Sequence, residues 1–127
     1  MKLGNDPRSA LVLTRLEQAV LGCFADGLGP AGALLRAQVA QARVVSRSHS
    51  GVGFVTRLDI PETLPGVPPE AARRLRAVHA AHPQLREPAE FLVEFKAGRL
   101  ASIEAFCHAG MWPADDADFT VGPGSAG

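Results

Sequence analysis

His79 and His82 stand three residues apart, a spacing that on a helix turns both rings to one side and makes half of a zinc site. Zinc needs at least one more ligand, and Pro83 ends a helix directly after His82, so the two read as a surface pair and no metal is expected. Cys107-His108 sets a thiol beside an imidazole, the pieces of a nucleophile and its base. Neighbours on a strand point to opposite faces, which separates the two and gives Cys107 to the core. Asp115, Asp116 and Asp118 are hard oxygen ligands, yet the loop lacks the glycine and the distant bidentate glutamate of a calcium loop. They read as solvated acids. Gly51-Val-Gly lies inside a hairpin rather than before a helix, so it is no phosphate loop. Ser48, His49 and Ser50 share a turn for backbone reasons; no catalytic triad is legible and no cofactor is expected.

Arg47, Arg57, Glu104 and His108 remain as candidate ligand-binding residues. With Asp59 and Glu94 they fall on the polar side of two hairpins, where they form cross-strand ion pairs or wall a pocket between sheet and helices. Glu104, two residues back, is the expected partner of His108.

The hairpins come from alternation. Phe91 to Cys107 flanks the turn Lys96-Ala97-Gly98, and a three-residue loop with Gly98 left-handed pairs Phe95 with Arg99, Val93 with Ala101 and Phe91 with Ile103. That register places Phe91, Val93, Phe95, Ala101, Ile103, Ala105 and Cys107 on a core face, with Leu92, Glu94, Leu100, Ser102, Glu104, Phe106 and His108 opposite. Arg43–Ser48 and Val52–Ile60 form the other hairpin around His49-Ser50-Gly51, with Val44, Val52, Phe54, Leu58 and Ile60 inside and Val45, Arg47, Gly53, Val55, Arg57 and Asp59 outside.

Asp6-Pro7 starts a helix whose stripe runs through Leu13, Leu16, Val20 and Phe24, widened by Val12, Ala19 and Cys23, and ends at Gly27. A second helix spans Pro30 to about Ala42. Pro69 to Arg86 has helical composition, and sheet neighbours compete by drawing Leu75 to Ala81 into a strand. The order is that of an α+β domain, with two N-terminal helices packed on an antiparallel sheet of two hairpins; cystatin-like cones are the nearest analogy. A single domain over 1–121 and a disordered tail over 122–127 are expected.

Composition narrows the partners. Of 127 residues, 46% are hydrophobic and 20% charged, an ordinary globular balance. Net charge is zero, and a sustained basic face for nucleic acid is missing. Charge is nonetheless blocked: Arg36 to Arg86 holds eight arginines against three acids, Glu87 to Asp118 seven acids against two cations. Apolar runs are too short for a membrane span and the start lacks a signal peptide's pattern, which favours a cytoplasmic location. Two cysteines make no disulfide scaffold.

Val44-Val-Ser-Arg-Ser-His-Ser-Gly-Val-Gly-Phe-Val-Thr, the stretch Phe91 to Gly98 and the closing Gly110-Met-Trp-Pro resemble a family of small uncharacterised bacterial proteins. The resemblance covers about half the chain through structural glycines and apolar residues. It implies no activity. In those relatives the stretch matching Leu75 to Ala81 is strand-like.

Two function classes compete. A non-enzymatic interaction module would act through Leu92, Leu100 and Phe106, with Trp112 at the rim or closing the core, as a two-fold homodimer. A small-molecule-binding or enzymatic cone would use the pocket of Arg47, Arg57, Glu104 and His108. An enclosed cavity with convergent polar groups separates the second from the first.

Overall fold

Thr14 begins the first helix by capping it. Its hydroxyl accepts from the Glu17 amide while the Glu17 carboxylate accepts from the Thr14 amide, a reciprocal capping box that satisfies two free N–H groups. The computed structural model describes residues 12–122, and α1 spans Arg15–Gly27. Asp6-Pro7 lies outside the described residues. Val12 and Leu13 precede the cap, so the helix is shorter at its start than the apolar spacing suggests. Its buried side is Leu16, Glu17, Val20, Leu21, Phe24 and Ala25, a stripe that contains one carboxylate. A 3-10 turn over Gly29–Ala31 leads into α2, Gly32–Ala40.

The strands are β1 (Arg43–Ser50), β2 (Gly53–Asp59), β3 (Val78–Ala81), β4 (Ala89–Lys96), β5 (Arg99–Phe106) and β6 (Thr120–Gly122). They form one antiparallel sheet in the order β1-β2-β5-β4-β3-β6. The architecture is α+β, and the sheet has six strands rather than the four of two hairpins. A short helix α3, Pro69–Arg73, precedes β3. Residues 78–81 are therefore strand and not helix, because β4 and β6 offer them backbone partners on both sides. Gly122, expected in a tail over 122–127, belongs to β6; 123–127 lie outside the described residues.

Both hairpin registers differ from the sequence expectation for the same reason. Each turn is two residues long, and each hairpin carries a bulge further along. In the β4–β5 turn, Ala97 (φ 52) and Gly98 (φ 79) both lie in the left-handed region, which suits the twist of a tight hairpin. Phe95 pairs with Leu100, Val93 with Ile103 and Phe91 with Ala105, and Ala101 is the extra residue. The bulge exchanges the faces of Leu100 and Ala101. Leu100, expected on the second face, is 1% exposed in the core. In the β1–β2 hairpin, Ser50 pairs with Gly53 and Val45 is skipped, which sets Arg47 opposite Thr56 on the inner side. Val52, expected in the core, sits in the turn and is exposed.

The three helices of the described residues lie on one side of the sheet, where Phe24, Leu35, Phe91, Leu100 and Ile103 make the centre of the core. Gln38 of α2 is buried there and holds the β4–β5 turn: its amide donates to the carbonyls of Pro65 (3.1 Å) and Gly98 (3.0 Å), and its oxygen accepts from the Leu100 amide (2.9 Å). Every polar atom of that buried amide group is thus used.

Candidate functional site

Between helix and sheet the largest polar feature is a carboxylate. Glu17 is fully buried, and its two oxygens accept from the Thr14 amide (2.9 Å), Arg47 Nη2 (2.7 Å), Arg47 Nε (3.0 Å) and Thr56 Oγ1 (2.5 Å). The Arg47 contact is a two-pronged, planar pairing, which fixes the guanidinium as well as neutralising it. The network ties α1 to β1 and β2.

The four candidate ligand residues do not meet. Arg47 is inside with Glu17, whereas Arg57 and Glu104 lie on the other face of the sheet and are exposed. His108 bonds Glu90 Oε1 through Nε2 at 3.0 Å rather than the expected Glu104. Asp59 pairs with Arg43 at 3.6 Å. Separation by the sheet rules out one pocket walled by all four.

The two histidines of the apparent half-site are also parted. His79 is on β3 facing outward, 3.7 Å from Glu90, so Glu90 stands between His79 and His108. His82 follows the strand and is buried, with Nε2 donating to the Asp115 carbonyl (2.9 Å) and Nδ1 accepting from the Gln84 amide (3.0 Å). The expected surface position of His82 is therefore corrected to an interior one. Among the described residues no group of three or more His, Cys, Asp or Glu is set to hold a metal ion. Asp115 spends its carboxylate on the Ala117 amide. Both cysteines are free thiols, with Cys107 buried.

Trp112 sits on the core side. It meets Phe54 (5.5 Å, edge-on), Phe91 (6.0 Å) and Phe119 (5.1 Å), and with them closes one end of the core. Of the expected interface residues, Leu92 and Phe106 remain on the outer face. That face carries no helix among the described residues. Pairing across the strands orders it in rows: Ser46, Arg57, Ser102 and Glu94 make one, and Ser48, Val55, Glu104 and Leu92 the next. A third row runs Ser50, Gly53, Phe106, Glu90 and His79. The middle is thus apolar and acidic, with Arg57 on β2 and Glu94 on β4 flanking β5 at one level.

Sequence reasoning did not find Glu17, Thr56 or Gln38. A glutamate in the apolar stripe of α1 and a threonine in the apolar phase of β2 were the available signals, since a polar residue at a core position demands a partner. The chain matches no family model, no curated protein and no solved structure. No helix among the described residues is long and apolar enough to cross a membrane.

Proposed function

We propose that the chain is a non-enzymatic interaction module working through the outer face of its sheet, and that its partner there is a second copy of itself. The observation that carries this is the arrangement about β5. A two-fold axis running along β5 in the plane between two facing sheets sends β2 of one copy over β4 of the other. Arg57 then stands against Glu94 and Val55 against Leu92, twice each. Leu92 is 38% exposed in the single chain, and covering it with Val55 and Phe106 supplies an apolar driving force. The face is small and charged, so the association is reversible and concentration-dependent. Kinship with the small bacterial proteins of similar hairpin pattern belongs to the same proposal.

Sedimentation velocity on the full chain from low to high micromolar concentration tests it. The expected result is a sedimentation coefficient that rises with concentration toward that of a dimer, and a Leu92→Asp variant with an unchanged circular dichroism spectrum that stays monomeric. A wild-type chain monomeric throughout overturns the reading.

A further inference from the structure

A cleft of about 490 Å³ opens on the helical side of the molecule, between the last turns of α1 and the link from α3 to β3. Its volume lies in the range that takes one small organic molecule, roughly 300–1,000 Å³. The floor is apolar: Phe24 and Val78 are almost fully buried, and Leu75 adds a half-buried side chain. Arg74 and Arg76 flank Leu75 in the chain, line the cleft and are exposed. Among the described residues neither takes part in an ion pair or a side-chain hydrogen bond. The one acid at the cleft, Asp26, is already bound by Arg36 of α2. Among the described residues two guanidiniums without side-chain partners therefore stand beside an apolar floor, and the acid in its lining, Asp26, is paired with Arg36.

We propose that this cleft binds a small amphipathic carboxylate, its apolar body on Phe24, Leu75 and Val78 and its carboxylate paired with Arg74 and Arg76. A guanidinium fork matches a carboxylate in shape and charge, and water screens it less beside buried hydrocarbon than on an open surface. A phosphate-first ligand fits less well, since the apolar floor would go unused. Cys23 lies on the wall. Burial, and after it the Asp26 carboxylate, pushes its thiol above the usual cysteine range. This end of the cleft disfavours negative charge, which orients the ligand's tail toward Cys23 and its head toward the arginines.

Decanoate, kept below its micelle-forming concentration, is the probe, titrated calorimetrically into the full chain and followed by protection of Cys23 from iodoacetamide, read by mass spectrometry. Saturable binding of one decanoate per chain with slowed labelling of Cys23 is expected. The Arg74→Ala/Arg76→Ala double variant changes only exposed side chains and should bind decanoate about tenfold more weakly, as loss of charged hydrogen bonds predicts. Gly27→Leu is the plug. A Cβ at Gly27 meets only Leu75 Cδ2 at 3.5 Å, an ordinary contact, so the chain accepts a side chain there that occupies the cleft and abolishes binding. Absence of binding, labelling of Cys23 unaffected by decanoate, or equal affinity for decyltrimethylammonium overturns the proposal.

Discussion

Arg47 grips Glu17 with two nitrogens, Nε at 3.0 Å and Nη2 at 2.7 Å, across the boundary between sheet and helix. Glu17 has no exposure at all, so its charge cannot turn to water if Arg47, whose side chain is 15% exposed, is removed. Arg47→Ala is expected to cost about 3–5 kcal/mol, the usual price of stranding a buried charge. Replacing both at once, Glu17→Leu with Arg47→Met, should recover most of that loss. Urea midpoints of the two variants check it, and equal losses in the single and the double variant would refute the account.

Gln38 offers a second test, because one side chain from α2 satisfies the Leu100 amide, the Gly98 carbonyl at the β4–β5 turn and the Pro65 carbonyl in the link after β2. Gln38→Leu keeps the volume and leaves the Leu100 amide without its partner, while the Gly98 carbonyl keeps the Val67 amide at 2.7 Å. The expected loss is about 2–3 kcal/mol, and hydrogen exchange at the Leu100 amide should accelerate more than at the Ile103 amide. Uniform exchange would mean that Gln38 merely fills space.

The apolar skeleton was legible in the sequence: Leu16, Phe54, Phe91 and Ile103 are buried as their phase requires, and α1 ends at Gly27. Phe95 and Val93 share that face but are only half-buried. What pattern could not give is the position of a bulge. One extra residue in β1 moved Arg47 inside, and one in β5 moved Leu100 inside, because a strand's faces alternate and a single skip exchanges them. The strand at 78–81, the competing reading of a helical composition, prevails for another reason: good helix formers are overridden by β4 and β6, which come later in the chain.

Gly53 is fixed by its neighbour strand. A Cβ built there would lie 1.8 Å from the Ala105 carbonyl oxygen, a backbone atom that cannot step aside without parting β2 from β5. Gly53→Ala should therefore lose about 3 kcal/mol or more, whereas Gly22→Ala, open on all sides within an α1 turn, should be neutral or gain stability. Thermal melts of the pair decide the matter.

The Cys23 thiol is held above its ordinary range by burial first and Asp26 second. Its thiolate fraction near pH 8 is then smaller than that of a free thiol, so iodoacetamide should react more slowly in the folded chain, with a pH–rate midpoint shifted upward. The sign for stability follows: the unfolded chain releases this proton first, and stability falls as pH rises from the unfolded toward the folded value. Asp26→Asn removes the second cause and should move the midpoint part of the way down. A midpoint at or below that of the urea-unfolded chain would contradict the assignment.

Charge exchange gives the sharpest test of the self-association proposed for the outer face. Arg57 and Glu94 occupy one row on either side of β5, and a two-fold axis along β5 sets each against the other's copy. Arg57→Glu alone should weaken the dimer by about 1 kcal/mol or more, through two lost attractions and two new repulsions, and Glu94→Arg alone should do the same. The double exchange, Arg57→Glu with Glu94→Arg, should restore most of the affinity, an outcome that indifferent surface charges would not produce. Glu104 lies on β5 itself and faces its own copy across the axis, so Glu104→Gln should tighten the dimer by removing a like-charge pair. Sedimentation equilibrium on the four variants measures all of this, and a dimer constant unmoved by Glu104→Gln would place the axis elsewhere than along β5.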